Sequence, residues 1–159
     1  MLWTRFRIEA IAGCVAAALS LLAGLPADAQ SSPKAPVIDK PFAEHHLAIQ
    51  LSDSDPKKEA LTISVAYNLL KFYGPDQIAI EVVTFGPGID LLRAGNSNRA
   101  LVDSLVSQGV QFDVCMNTVN TVERETGKHV ELNPHAVKVE AGVAQILALT
   151  EKGFTLVRP

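Results

Sequence analysis

One cysteine lies where its neighbours could support thiol chemistry. The chain has two cysteines; Cys14 is in an N-terminal apolar run, and Cys115 ends the apolar stretch 110–115. Asn117 and Thr118 follow Cys115, and polar neighbours together with the amino end of a helix lower a thiol pKa. A thiolate is a nucleophile. Cys115 is therefore the candidate reactive residue, with Asn117 and Thr118 as candidate binding residues. Buried packing is the alternative, because free cysteines are among the most buried residues.

The other candidates for chemistry have weaker patterns. Gly86 and Gly88 flank Pro87 without dinucleotide or Walker spacing, which indicates a turn rather than a nucleotide site. His129 and His135 follow Cys115 in the chain and are candidate bases toward it, although loop histidines are usually solvated. Zinc sites need short, convergent Cys and His spacings that are missing here. We therefore expect no metal and no cofactor.

The elements that must position these residues alternate between strand and helix. β-branched apolar runs predict strands at 45–51, 78–85, 110–115 and 154–157. Apolar residues spaced by three and four predict helices at 56–73, 99–108 and 140–152. This alternation predicts the α/β class: a three-layer domain with a mainly parallel sheet and helices on both faces.

Helix starts and buried faces are also predicted from local signals. Asp55 and Pro56 are typical of a helix start, whereas residues 117–120 are predicted to be a polar turn. In that turn Asn120 would cap a short helix, together with Glu123. The three predicted apolar faces comprise Ala60, Ile63, Ala66, Tyr67 and Leu70; Leu101, Val102, Leu105 and Val106; and Val143, Ile146, Leu147 and Thr150.

Three loops are expected to meet at one edge of the sheet. In parallel sheets, ligands bind beyond the carboxyl ends of the strands. Residues 52–55, 86–88 and 115–118 follow the first three predicted strands. We therefore expect Asp53, Gly86 and Gly88 to line a site together with Cys115.

The N-terminus has the pattern of a secretory signal peptide. Arg5 and Arg7 precede the apolar run 10–25, and Ala27 and Ala29 supply the small residues of a cleavage site. We predict cleavage after Ala29 and a periplasmic or secreted protein. The apolar stretch follows Cys14 rather than preceding it, which disfavours a lipidated cysteine.

The rest of the chain is predicted to be one domain behind a leader. Residues 30–45 are rich in Ser and Pro and predict a flexible leader, and 46–159 form the domain. The formal net charge is −3, and there is no long basic run. We therefore expect neither a nucleic-acid partner nor membrane association after signal cleavage.

The order of three motifs resembles the DsrE/DsrF-like family, which includes the YchN-like proteins. The motifs are VVTFGPGIDLL, GVQFDVCMNT at 109–118 and GVAQILALTEKGFTLVRP at 142–159. The resemblance covers roughly residues 46–159. It implies a small α/β domain that assembles into trimers or hexamers, with a persulfide on the cysteine that matches Cys115.

The resemblance and the signal peptide together predict a function. We expect an exported persulfide carrier or sulfur transferase that uses Cys115, with a possible sulfur donor or acceptor protein as partner. The alternative is a non-enzymatic, oligomeric binding module of the same fold, in which Cys115 is structural.

Overall fold

A parallel sheet forms the centre of the domain. The computed structural model describes residues 40–159, and the predicted signal peptide, Cys14 and leader residues 30–39 lie outside this range. The sheet has five strands in the order β4-β3-β2-β1-β5, and every pairing between them is parallel. The strands are β1 (His45–Leu51), β2 (Ile78–Thr84), β3 (Val110–Cys115), β4 (Val137–Val139) and β5 (Thr155–Val157).

Helices cover both faces of this sheet. They are α1 (Pro56–Tyr73), a 3-10 helix (Gly86–Leu92), α2 (Arg99–Ser107), α3 (Met116–Thr126) and α4 (Gly142–Glu151). One core contains apolar side chains of α1 and α2, and a smaller one contains Ile146 and Leu149 of α4. The predicted three-layer α/β fold with a parallel sheet is confirmed.

Local sequence signals place the first helix correctly. The Asp55 side chain accepts a hydrogen bond from the Lys57 backbone N–H at 2.9 Å, and Pro56 takes the first helical position. Gly74 ends the helix with a φ of 90°, a conformation that favours glycine. These caps are encoded by adjacent residues, so no tertiary contact is needed to define the helix ends.

The start of α3 differs from the prediction. No polar turn separates the strand from the helix, because α3 begins at Met116 and Cys115 is its N-cap residue. The Asn117 N–H donates to the Glu140 carbonyl oxygen at 3.1 Å, so a distant backbone group satisfies this helix end. Glu123 does not cap the helix start, since its side chain accepts from the Val130 N–H at 2.9 Å.

The predicted apolar faces are partly wrong. The side chains predicted to be buried that are exposed are Ala60, Tyr67, Leu101, Val143, Leu147 and Thr150. Polar side chains occupy part of the inner faces instead. Glu59 of α1 is buried, accepting hydrogen bonds from Asn96 and Asn98 at 3.2 and 3.0 Å. Such a face is defined by hydrogen bonds between elements, so apolar periodicity alone misplaces it.

The described end of the predicted leader contacts the domain. The Lys40 Nζ donates to the carbonyl oxygens of Pro75 and Ile78 at 2.7 and 3.1 Å. Its Nζ also lies 2.9 Å from the position that a Cβ would take on Gly109. Residues 40–44 therefore lie at the amino end of the sheet, opposite to Cys115.

Candidate functional site

Cys115 lies at the carboxyl end of β3 and under the start of α4. Side chains alternate along a strand, so Cys115 shares its face with Gln111 and Asp113. The residues between them, including Phe112, belong to the core on the other face. Cys115 is buried with 5% of its surface exposed, and its Sγ lies 3.9 Å from the Glu140 carbonyl oxygen.

The amino ends of two helices converge on this thiol. α3 begins directly after Cys115, and α4 begins at Gly142. A Cβ placed on Gly142 would lie only 3.3 Å from the Cys115 Cβ. A helix amino end has unpaired N–H groups and a partial positive charge, and both favour a negatively charged sulfur.

The pKa of the thiol reflects two opposing effects. Burial raises the pKa of Cys115, whereas hydrogen bonds from the Thr118 hydroxyl and from the Gly142 and Thr118 backbone N–H groups lower it. The Asn117 N–H, which the sulfur shares with the Glu140 carbonyl oxygen, contributes least. The hydrogen bonds outweigh burial, so the pKa of Cys115 lies below its usual value. The thiolate, which is the nucleophilic form, is therefore favoured.

Thr118 connects this thiol to the loop after β2. Its Oγ1 accepts a hydrogen bond from the Gly86 N–H at 3.0 Å. Gly86 has a φ of 53°, which favours glycine and directs this N–H toward α3. A hydroxyl has a single proton, so a Thr118 that accepts from Gly86 keeps that proton for the sulfur. The structure thus brings Gly86 and Thr118, two of the predicted site residues, together beside Cys115.

A cleft of about 680 Å³ lies beside the thiol at the carboxyl edge of the sheet. Asn117 and Thr118 form one wall, and Gly86 and Arg93 contribute to the lining. Cys115 itself does not line the cleft, among the residues that the structure describes. Thr118 is therefore the side chain shared by the cleft and the sulfur.

Asp53 and Gly88 lie at the same edge of the sheet, but their contacts are with residues other than Cys115. The Asp53 carboxylate forms an exposed ion pair with Lys58 at 2.8 Å. A Cβ on Gly88 would lie 2.2 Å from the Leu51 carbonyl oxygen, so glycine lets the 3-10 helix pack on the end of β1. Neither residue lines the cleft within the described part of the chain.

The two candidate bases, His129 and His135, lie away from Cys115. The His129 Nδ1 lies 2.6 Å from the Glu123 carboxylate, near the carboxyl end of α3 and away from Cys115. His135 is exposed, and its backbone N–H donates to the Asn133 side chain at 2.9 Å. The structure does not bring either histidine to the thiol.

Two buried carboxyl groups next to the site were not predicted. Glu81 of β2 accepts from Gln145 of α4 at 3.2 Å, and Asp113 accepts from Gln111 at 2.8 Å. Burial and the neighbouring Glu81 charge raise the pKa of Asp113 to about 8. Polar residues inside two otherwise apolar strand runs, Glu81 in 78–84 and Asp113 in 110–115, are the sequence signal that could have revealed them.

The described residues contain neither a candidate metal site nor a candidate membrane span. Between Lys40 and Pro159, no three or more His, Cys, Asp or Glu side chains form a group that could hold a metal ion. Over the same residues, no helix combines the length and apolar character that crossing a membrane requires.

Comparison with known proteins includes a structural likeness. No family model and no curated protein matches the chain. Among solved structures, the chain is similar to that of the protein of unknown function MTH1491 from Methanobacterium thermoautotrophicum. The two share 27% identity, and the match covers 73% of this chain and 100% of the other, with a TM-score of 0.65. The likeness supports the α/β fold.

Proposed function

We propose that the protein is an exported sulfur carrier of the DsrE/DsrF-like kind, which holds sulfane sulfur as a persulfide on Cys115. The observation that carries this proposal is the convergence of two helix amino ends and the Thr118 hydroxyl on one thiol, Cys115. Sulfur transfer needs a thiolate that is both a nucleophile and a leaving group, and this arrangement favours the thiolate in both roles.

The proposed transfer has two displacement steps. The Cys115 thiolate attacks the outer sulfur of an inorganic polysulfide, forming a new S–S bond while the S–S bond of the donor breaks. The shortened polysulfide leaves with the electron pair of that bond. An acceptor thiolate then attacks the outer sulfur of the persulfide, and Cys115 leaves as the thiolate. Both steps are exchanges at sulfur, so no external oxidant or reductant is consumed.

The wider context is part of the same proposal. Residues 1–29 would be removed on export, leaving Cys115 as the single thiol of residues 30–159. A trimer-based homo-oligomer and a sulfur donor or acceptor protein are the partners that the family resemblance implies. These partners would meet the protein at the carboxyl edge of the sheet, where the cleft and the thiol lie side by side.

Burial of the thiol favours a second candidate function. With 5% of its surface exposed, Cys115 could be a packing residue of a non-enzymatic binding module. This alternative predicts slow alkylation of the native protein. It also predicts that Cys115→Ser lowers stability, because a polar hydroxyl replaces a buried thiol.

Intact-mass measurement after exposure to polysulfide tests the sulfur-carrier proposal. A Cys14→Ser background leaves Cys115 as the single thiol of the chain. We expect this protein to gain the mass of one or more sulfur atoms, a gain that dithiothreitol reverses. The matched Cys14→Ser, Cys115→Ser protein should gain none. Absence of added sulfur on the first protein, or equal gain on both, would contradict the proposal.

A further inference from the structure

Gly142 is favoured because a side chain there would be too close to Phe85 and Cys115, and not because its backbone conformation needs glycine. It is the first residue of α4 and is buried. A Cβ there would lie 3.1 Å from the Phe85 Cβ, 3.2 Å from the Phe85 Cδ1 and 3.3 Å from the Cys115 Cβ. Its φ is outside the positive range, so an L-residue could adopt this backbone. The lack of a side chain is therefore what lets α4 start against Cys115.

The loop before α4 is also bonded to the start of α3. The Glu140 carbonyl oxygen accepts from the Asn117 N–H at 3.1 Å and faces the Cys115 Sγ at 3.9 Å. The two helix starts are thus tied together around the sulfur by one backbone carbonyl. Any displacement of Gly142 changes what the sulfur meets on its α4 side.

The rest of α4 is held firmly on the sheet. Gln145 donates to the buried Glu81 at 3.2 Å, and Ile146 and Leu149 pack with Ala48, Ala79 and Val83. These contacts restrain the helix one turn beyond Gly142. A side chain added at Gly142 would press on Phe85 and Cys115 by a few tenths of an ångström, and we expect the amino end of α4 to take up part of this shift by moving away from Cys115.

We propose that Gly142 is a positioning residue for the thiol chemistry of Cys115. Its missing side chain seats the amino end of α4 on the sulfur, so that two helices rather than one stabilise a negative charge there. That this arrangement serves sulfur transfer rests on the proposed function. The position of the α4 amino end and its effect on the pKa of Cys115 do not depend on sulfur transfer.

Replacing Gly142 separates this role from a purely structural one. Gly142→Ala places a better helix former in α4, so helix propensity alone predicts unchanged or higher stability. Positioning predicts that the pKa of Cys115 rises, because the Gly142 N–H moves away from the sulfur. At neutral pH we expect the alkylation rate to fall about three- to tenfold, the range that a helix amino end supports.

The rate of iodoacetamide alkylation against pH is the measurement, in the Cys14→Ser background. Gly95→Ala is the matched control, because a Cβ on Gly95 would meet no atom within 4 Å. We expect the midpoint of the profile to rise for Gly142→Ala and to stay unchanged for Gly95→Ala. An unchanged midpoint in a folded Gly142→Ala protein would overturn the proposal. Intact-mass sulfur loading, measured separately, tests the proposed function itself.

A second measurement needs no substitution at Gly142 and decides the question if Gly142→Ala does not fold. In the protein with native Gly142, the amide proton resonance of Gly142 should shift with pH at the midpoint of Cys115 ionisation. The Gly95 amide should not follow that midpoint. A Gly142 amide that is insensitive to the ionisation of Cys115 would overturn the proposal.

Discussion

At the scale of single residues, the reactivity of Cys115 depends on a balance between burial and hydrogen bonding. A one-unit change in pKa corresponds to about 1.4 kcal/mol, and a charge at a helix amino end gains about 0.3 to 2 kcal/mol. Each donor around Cys115 therefore has an effect comparable to one pKa unit or less. Removing a single donor should be measurable without disrupting the domain, so the donors can be tested one at a time.

The Thr118 hydroxyl is the side-chain donor to test first. Thr118→Val keeps the shape but removes the hydroxyl, which leaves the Gly86 N–H without its 3.0 Å acceptor and removes one of the donors to the sulfur. We expect the pKa of Cys115 to rise and its alkylation rate at neutral pH to fall about three- to tenfold. The pH dependence of alkylation is the measurement.

Thr118→Ser is the conservative control, because it retains the hydroxyl. Its alkylation profile should stay close to that of the unsubstituted protein. If Thr118→Val and Thr118→Ser have the same profile, the Thr118 hydroxyl does not stabilise the thiolate, and the role assigned to it here is wrong.

At the scale of elements, local signals predict what local contacts determine. The bounds of β1 and β3 and the start of α1 at Pro56 follow from adjacent residues, and all three are confirmed. The start of α3 could not be predicted in this way, because it depends on a bond from Asn117 to Glu140, which is distant in sequence. Sequence patterns therefore point to Cys115 and Thr118 as candidate site residues. They do not point to Gly142 or to the buried carboxyl groups, whose positions depend on contacts between distant elements.

The buried carboxyl pair of Glu81 and Asp113 should make the stability of the domain depend on pH. Asp113 has a pKa of about 8 in the folded protein, far above its usual value of 3.8. Below about pH 4 both folded and unfolded chains bind the proton, and between about pH 4 and pH 8 only the folded chain does. The stability contributed by this proton is therefore fully present below about pH 4, declines as the pH rises toward 8, and is lost above pH 8.

Asp113→Asn should remove most of this pH dependence, because the amide is neutral throughout. For the unsubstituted protein, we expect the free energy of unfolding to fall between about pH 5 and pH 8, by at most about 1.4 kcal/mol per pH unit. For Asp113→Asn the fall should be much smaller. Urea unfolding at several pH values is the measurement.

Asp53→Asn is the matched control, since Asp53 is an exposed carboxylate at the same edge of the sheet. It should keep the pH dependence of the unsubstituted protein. An equally steep fall for Asp113→Asn would mean that the buried Asp113 does not hold its proton in the folded state.

At the scale of the whole molecule, the export that we propose would give the burial of Cys115 a consequence. In the exported protein that we propose, residues 30–159 contain one cysteine and no intramolecular disulfide can form. An exposed thiol in an oxidising compartment would pair with another chain. With 5% of its surface exposed, Cys115 is shielded from such pairing. In the proposed transfer a small polysulfide loads the sulfur, and the acceptor thiolate attacks the outer sulfur of the persulfide rather than Cys115 itself.

Export itself is the last prediction, and it depends on small side chains at the cleavage site. When the full chain is produced in a bacterium, the protein recovered from the periplasm should begin at Gln30, as intact mass will show. Ala29→Leu should block cleavage because that position needs a small residue. Asp28→Asn alters the variable position between Ala27 and Ala29 and should be cleaved normally. Recovery of the unsubstituted protein in the cytoplasm with residues 1–29 attached would contradict export, and with it the reason for proposing a sulfur carrier outside the cytoplasm.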